Sequence, residues 1–305
     1  MSQTTTILTA QRYGDAQVLE YRSLPMPQPA AGEALIEVRV AGINPIDARR
    51  MTGEFKLGPL PQSFGTEFTG IVRGVGAGVV GWAVGDEVLG SGGAFTHATH
   101  IIVPAANLVA KPPSMSWEVA GTLAGASQTA GTILRELALP KNGSLLIHGG
   151  SGGVGSITIQ LGRQDGLTVV ATASAANQEY LADIGAIPVV YGDGVIERIR
   201  AAHPAPFDAS VDMVGTAEAT TTSLAVVKDN GPIASITGKA ASSSRVFPIW
   251  TKRDRNDLQR VVDALAAGEL QWTVSRTYPF ADARQAFADI LGGHTRGKSA
   301  LVFGG

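Results

Sequence analysis

Apolar and polar positions change their rhythm twice along the chain. In Ala34-Leu35-Ile36-Glu37-Val38-Arg39-Val40 they alternate, the period of a half-buried strand. From Ile71 to Val88 the apolar positions are broken by glycines and end in Val84-Gly85-Asp86-Glu87-Val88, which predicts short strands joined by tight turns. Pro25, Pro27 and Pro29 read as an extended connector. The texture shifts near Lys111-Pro112-Pro113, where Ser114 or Ser116 can cap a helix beginning around Trp117.

From Ser144 onward, strand and helix patterns take turns. Leu145-Leu146-Ile147, Thr168-Val169-Val170-Ala171, Val189-Val190, Ala209 to Met213 and Pro232 to Ile236 read as buried strands. Val154 to Gln164 and Ala176 to Ile184 have helical spacing. Such alternation predicts an α/β architecture with a parallel, doubly wound sheet. The tail changes style again, with amphipathic helices at Asp257 to Ala267 and Asp282 to Leu291 and strands at Ser275 to Phe280 and Ser299 to Phe303.

At 305 residues the chain is long enough for about two domains of ~100–200 residues each. A hydrophobic fraction of 44% against 16% charged residues supports a buried core and argues against disorder. The net charge of −2, with no basic tail, makes nucleic acid an unexpected partner. The absence of cysteine excludes disulfides and thiolate metal sites. Met1 to Gly14 lacks a secretion-signal pattern, and no apolar run approaches the ~20 residues of a membrane span. The expected location is the cytoplasm.

One motif carries chemistry. Leu146-Ile147-His148-Gly149-Gly150-Ser151-Gly152-Gly153-Val154-Gly155 runs from a buried strand into a helix, and Gly150, Gly152 and Gly155 fit the G-x-G-x-x-G spacing. One glycine of such a set makes the turn, one lets the backbone approach a pyrophosphate and one packs helix on strand. Free N–H groups at the helix start then face the phosphates. The motif sits inside repeated strand–helix units, the context that a Rossmann dinucleotide site requires.

An NAD site usually places an acid about 20 residues past the loop to hold the ribose hydroxyls. The second strand instead ends in Thr172-Ala173-Ser174, and no acid occurs from Val169 to Gln178. An acid there would repel a 2′-phosphate by roughly 4 kcal/mol at ~4 Å and an effective dielectric of ~20. Its absence permits NADPH, and Ser174 can hydrogen-bond the phosphate. No Arg or Lys in the stretch selects for it, so NADH is not excluded.

With these motifs in place, nearly the whole chain resembles the zinc-independent quinone oxidoreductases, including ζ-crystallin, of the medium-chain dehydrogenase/reductase superfamily. The resemblance rests on Ala41-Gly42-Ile43-Asn44-Pro45-Ile46-Asp47, Gly65-Thr66-Glu67-Phe68-Thr69-Gly70-Ile71-Val72, Gly85-Asp86-Glu87-Val88 and Gly92-Gly93-Ala94-Phe95-Thr96. The glycine loop and His294-Thr295-Arg296-Gly297-Lys298-Ser299-Ala300-Leu301-Val302 complete it. It implies a GroES-like β-rich domain from residues 1–117 and 252–305, a Rossmann domain from 118–251, and an active site in the cleft between them. It further implies NADPH as cofactor and a homodimer or homotetramer, of which the homodimer is the expectation here. The cofactor residues it implies are Ser127, Gly150, Ser151, Gly152, Gly153, Val154, Gly155, Ser174, Gln178, Tyr191, Ile236, Thr237 and Gly238. Asn44 is the implied positioning residue for nicotinamide or substrate, and Tyr191 the neighbour of the 2′-phosphate. Two positions depart from the family: Gln178 stands where a phosphate-binding lysine is frequent, and Ser127-Gln128-Thr129 replaces a Thr-x-Tyr.

Zinc alcohol dehydrogenases of the same superfamily use Cys and His ligands. The matching positions here are Asn44, Thr66 and Leu123, which do not form a catalytic zinc site. His97 and His100 are three apart, which on a strand turns them to opposite faces. Alcohol oxidation needs a Lewis acid or strong base for the alkoxide. A quinone or activated enone is already electron-poor and accepts hydride when held close, with donors on its developing oxyanion. The expected activity is therefore NADPH-dependent, zinc-independent reduction of a quinone or α,β-unsaturated carbonyl. The alternatives are an enoyl-thioester reductase and a crystallin-like cofactor-binding protein with little turnover. Among single residues, Glu67 reads as a buried structural carboxylate, His148 as structural, Arg49 and Arg50 as solvated surface, and Lys298 as exposed.

Overall fold

The computed structural model describes residues 4–92, 95–239, 243–293 and 295–304. The chain divides into two compact units, one comprising Met1–Gly125, Asp254–Glu269 and Thr273–Gly305, the other Ala126–Arg253 with Leu270–Trp272. The expected seams lay at 117/118 and 251/252. The helix Ala124–Leu137 runs through the boundary at Gly125/Ala126, downstream of the change of texture at Lys111–Pro113.

The spine of the first unit is the strand Glu33–Ile43. Ile36, Val38 and Val40 are buried on one face, while Glu37 and Arg39 stay partly exposed. From Ala41 to Ile43 both faces are covered, and the alternation ends there. This strand pairs antiparallel with Glu67–Val75, His100–Pro104 and Lys298–Val302. Lys298–Val302 also pairs with Val274–Pro279, in parallel, around the helix Ala283–Gly292. The tail thus enters the sheet of the first half. A second sheet joins Thr4–Ala10 to Leu19–Pro25 and Gln62–Ser63, strands that the polar threonines and charges of the N-terminus disguise. The core gathers Leu8, Ile36, Phe64, Phe68, Phe287 and Leu301.

The second unit holds a six-stranded parallel sheet. Across it lie Ile187–Val190, Thr168–Ala173, Ser144–His148, Ala209–Asp212, Ile233–Ser235 and Val246–Pro248. Numbered along the chain from Ser144, the order is 3-2-1-4-5-6, the doubly wound arrangement. Leu145, Leu146 and Ile147 are fully buried, because helices on both faces require an unbroken apolar strand. The first strand leads through the glycine loop into the helix Gly153–Gln164. The segment expected as one helix from Ala176 begins as the single 3-10 turn Ala175–Asn177 and continues as the helix Gln178–Asp183. The helix Ala217–Val226 escapes the sequence pattern because Thr220, Thr221 and Thr222 are weak helix formers.

His148, at the end of the first strand, is buried between Ser223 Oγ at 3.1 Å and Thr172 Oγ1 at 3.4 Å. Burial pushes its imidazole down to about 4, and burial lowers His97 likewise. The unfolded chain therefore takes up protons from about pH 6.5 downward that the folded chain refuses until about pH 4. Stability is full above that window and falls as pH drops through it. At ~1.4 kcal/mol per unit, His148 alone accounts for roughly 3 kcal/mol across it. Urea unfolding between pH 7 and 4 is expected to show this loss, with a shallower slope in His148→Gln.

Candidate functional site

In the second unit the expected cofactor residues gather where the parallel strands end. The loop after the first strand turns at Gly149, whose φ of +87° is left-handed. The N–H groups of Gly149 and Gly150 both donate to Thr172 O, at 3.2 and 3.0 Å, tying the loop to the second strand. A Cβ on Gly150 would come within 2.8 Å of the Ala171 Cβ, and one on Gly155 within 2.5 Å of Gly149 O. These two glycines are required for packing. At Gly152 a Cβ would meet only Gly149 O, at 3.6 Å. The space over Gly152 is open, as a backbone that receives a pyrophosphate requires. The turn itself thus belongs to Gly149, one residue outside the G-x-G-x-x-G spacing. Gly152 is the N-cap of the following helix and supplies no capping side chain. By helix geometry the N–H groups of Gly153, Val154 and Gly155 lack intrahelical partners, and Ser156 N–H is the first to bond back, to Gly152 O at 2.9 Å.

Next to this loop, Asn177 was not singled out by sequence. Its Nδ2 donates to Ser174 Oγ at 3.0 Å and to Ser151 Oγ at 3.4 Å. It therefore links the glycine loop to the end of the second strand. Gln178 does not present its amide hydrogens to a ligand: its Nε2 donates to the carbonyls of Ala173 and Ser174, at 3.2 and 3.0 Å. Tyr191 follows the neighbouring strand, in which Val190 pairs with Ala173, and is 47% exposed. Arg198, twenty residues beyond Gln178, wraps the Tyr191 turn by donating to the carbonyls of Val190, Tyr191, Gly192 and Asp193. It brings to that turn a cation which a search limited to the second strand misses. On the other side of the first strand, Ile236 N–H donates to Asp212 O at 3.0 Å. Thr237 Oγ1 lies 2.9 Å from Ser235 Oγ, and Gly238 is exposed with φ +62°. Ser127 is fully buried in the helix Ala124–Leu137.

In the first unit, residues around Asn44 form a buried polar network. Lys298, expected to be exposed, is 6% exposed and pairs with Glu67, which is 0% exposed. Lys298 Nζ lies 2.5 Å from Glu67 Oε1 and donates also to Asn44 Oδ1 at 2.5 Å and Ile43 O at 3.4 Å. Asn44 Nδ2 donates to Glu67 Oε1 at 2.9 Å and Thr66 Oγ1 at 3.3 Å. The second Glu67 oxygen accepts from Gly125 N–H at 2.6 Å. Asp47 is buried and accepts from the N–H groups of Asn44 and Gly65, at 2.9 and 2.8 Å. It fixes the start of the helix Pro45–Thr52.

The arginines of that helix also correct an expectation. Arg50 is 3% exposed, donates to Gln62 Oε1 at 2.9 Å and stacks 4.5 Å from the Phe95 ring centre. Burial draws its basicity below the ordinary range. Arg49 is half-buried and pairs with Glu54 at 3.0 Å. His97 is buried and its Nε2 donates to Gly42 O at 3.0 Å, whereas His100 meets Thr99 Oγ1 at 3.3 Å. Among the described residues no group of three or more His, Cys, Asp or Glu is arranged to hold a metal ion. Gly93, Ala94 and His294 of the sequence markers lie outside the described residues.

Two family descriptions match the chain: the alcohol dehydrogenase GroES-like domain over residues 30–114 and the zinc-binding dehydrogenase domain over 184–301. The chain is 30% identical over 306 residues to a 2-methylene-furan-3-one reductase of Solanum lycopersicum, covering 95% of this chain and 76% of the relative. It is 28% identical over 303 residues to an NADPH-dependent alkenal/one oxidoreductase of Arabidopsis thaliana, covering 94% and 76%. Its fold matches the quinone oxidoreductase of Coxiella burnetii with a TM-score of 0.89 at 27% identity, over 98% of this chain and 99% of the other. With its GroES-like segment, its doubly wound sheet and a relative of this identity along nearly its whole length, the chain belongs to the zinc-independent quinone oxidoreductase family of the medium-chain dehydrogenase/reductase superfamily.

Proposed function

We propose that the protein is an NADPH-dependent, zinc-independent reductase of quinones or α,β-unsaturated carbonyls. The observation that carries this reading is the glycine loop, closed by packing at Gly150 and Gly155 and open over Gly152. In the proposal, Gly153, Val154 and Gly155 present backbone N–H groups to the pyrophosphate, which approaches over the open space at Gly152. Ser174, held by Asn177, and Tyr191 receive the 2′-phosphate, with no carboxylate from Val169 to Gln178 to repel it. Gln178 acts indirectly, by closing the turn that carries Ser174. Ile236, Thr237 and Gly238 border the nicotinamide ribose, and Ser127 supports the cofactor from within its helix.

NADPH supplies a hydride when bound. The chain's part is to orient the acceptor, exclude water and place hydrogen-bond donors where negative charge grows on its oxygen. Asn44, Thr66 and Leu123 support chemistry without a catalytic zinc, since none is a usual zinc ligand. The related proteins named for a furanone and for alkenals and enones support an electron-poor C=C or quinone as acceptor. The same family resemblance supports a homodimer, and the cytoplasm is the location we propose for it. No helix among the described residues is long and apolar enough to cross a membrane.

Fluorescence titration is expected to show tighter binding of NADPH than NADH, and stopped-flow mixing of the loaded protein with a quinone and an enone is expected to show cofactor oxidation. Tighter NADH, or no oxidation across varied acceptors, would contradict the proposal. Two glycine variants separate the roles within the loop. Gly152→Ala is expected to fold normally yet bind NADPH at least about tenfold more weakly, because its methyl group enters the open space. Gly155→Ala is expected to lower the melting temperature as well, since its Cβ meets backbone at 2.5 Å.

A further inference from the structure

We propose that Asn177 is the positioning residue that makes the dinucleotide site select a 2′-phosphate, by turning the hydroxyl protons of Ser151 and Ser174 outward as an anion-binding pair. The inference rests on the NADPH reading above and deepens it. All three residues belong to the second unit. Ser151 stands in the glycine loop, Ser174 follows the strand Thr168–Ala173, and Asn177 closes the 3-10 turn after it.

The direction of the hydrogen bonds carries the argument. Asn177 Nδ2 has two hydrogens and donates to Ser174 Oγ at 3.0 Å and to Ser151 Oγ at 3.4 Å. Each serine oxygen therefore accepts from the amide, and each hydroxyl proton must point away from it. Neither proton has an acceptor among the described residues. Both serines are half-buried, so their oxygens are held in place yet still reach the surface. Donation from the amide also polarises each O–H, and chained hydrogen bonds of this kind strengthen the outer one.

The backbone around the pair is prepared for an anion as well. Carbonyl oxygens at a strand end would repel a phosphate, but here they are covered. Ser174 O accepts from Asn177 N–H and Gln178 Nε2, both at 3.0 Å. Ala173 O accepts from Tyr191 N–H at 3.3 Å and Gln178 Nε2 at 3.2 Å. A bare ribose 2′-hydroxyl is held best by a carboxylate acceptor. This cluster offers two donors instead, with no carboxylate from Val169 to Gln178. Selection thus comes from hydrogen-bond direction, in a stretch that has no Arg or Lys to supply charge.

The test is Asn177→Asp, which keeps the shape but replaces the two donated hydrogens by a charged acceptor. The serine protons then turn back toward residue 177, and its charge meets the phosphate. Titration should show Kd for NADPH and for adenosine 2′,5′-bisphosphate raised at least about 10²-fold, with NADH and 5′-AMP within about threefold of wild type. The melting temperature of the unliganded protein should stay near that of wild type. A cycle of Ser174→Ala and Asn177→Ala adds a second measurement: once the Ser174 hydroxyl is gone, removing the amide should weaken bisphosphate binding about tenfold less than it does in wild type. If Asn177→Asp does not fold, the cycle decides alone. Equal weakening of NADPH and NADH, an unchanged preference for NADPH in Asn177→Asp, or an additive cycle would overturn this inference alone. Wild type that binds neither dinucleotide, or prefers NADH, would overturn the NADPH reading and this inference with it.

Discussion

A carboxylate with no exposed surface has to be paid for by a partner, and in this chain Glu67 obtains its partner from 231 residues away, at Lys298. Desolvation costs several kcal/mol per ion, so removing one member of such a pair costs about 3–5 kcal/mol. The consequences spread through the first unit. Gly42 must lack a side chain, because a Cβ there would come within 2.2 Å of Glu67 Oε1. Asn44 must hold its amide in one orientation. The last strand must run beside Glu33–Ile43 so that Lys298 reaches its carboxylate. The same interaction closes the discontinuous chain into one sheet and fixes the orientation of the polar groups around Asn44.

The second unit answers to a different constraint, the distance of closest approach between backbones. The loop after Ser144–His148 is shaped by three contacts that a methyl group would break: at Gly149 against Val214, at Gly150 against Ala171, and at Gly155 against the loop itself. Gly152 is exempt, and in the proposed reading the open space there receives the pyrophosphate. In the proposed reading, cofactor choice is made beside this loop, where Ser151, Ser174 and Asn177 join without a carboxylate and Arg198 stiffens the turn of Tyr191. Polar side chains without negative charge there favour a phosphate over a bare ribose.

Much of this was legible in the sequence wherever the signal is local. Buried parallel strands read directly as apolar runs, and the glycine loop read directly from its spacing between strand and helix. The changes of style followed from the rhythm at Ser144 and after Asp257, whereas the return of the tail to the first unit was implied by the family resemblance. What escaped depends on distant partners. Lys298 reads as exposed until Glu67 is known to lie beside it, and Arg50 reads as surface until Gln62 and Phe95 cover it. Asn177 carries no pattern of its own; only its two serine partners reveal its place. Gly149 was overshadowed by the motif that begins one residue later, although its positive φ makes the turn.

The central claim is that this chain moves a hydride from the dinucleotide to an electron-poor carbon. The most direct measurement is isotope tracing with NADPH deuterated at C4 and an enone acceptor, followed by NMR of the product. The account predicts deuterium bonded to the β-carbon of the saturated ketone, without exchange into water. Deuterium retained in the cofactor, or released to solvent with the enone unchanged, would contradict it.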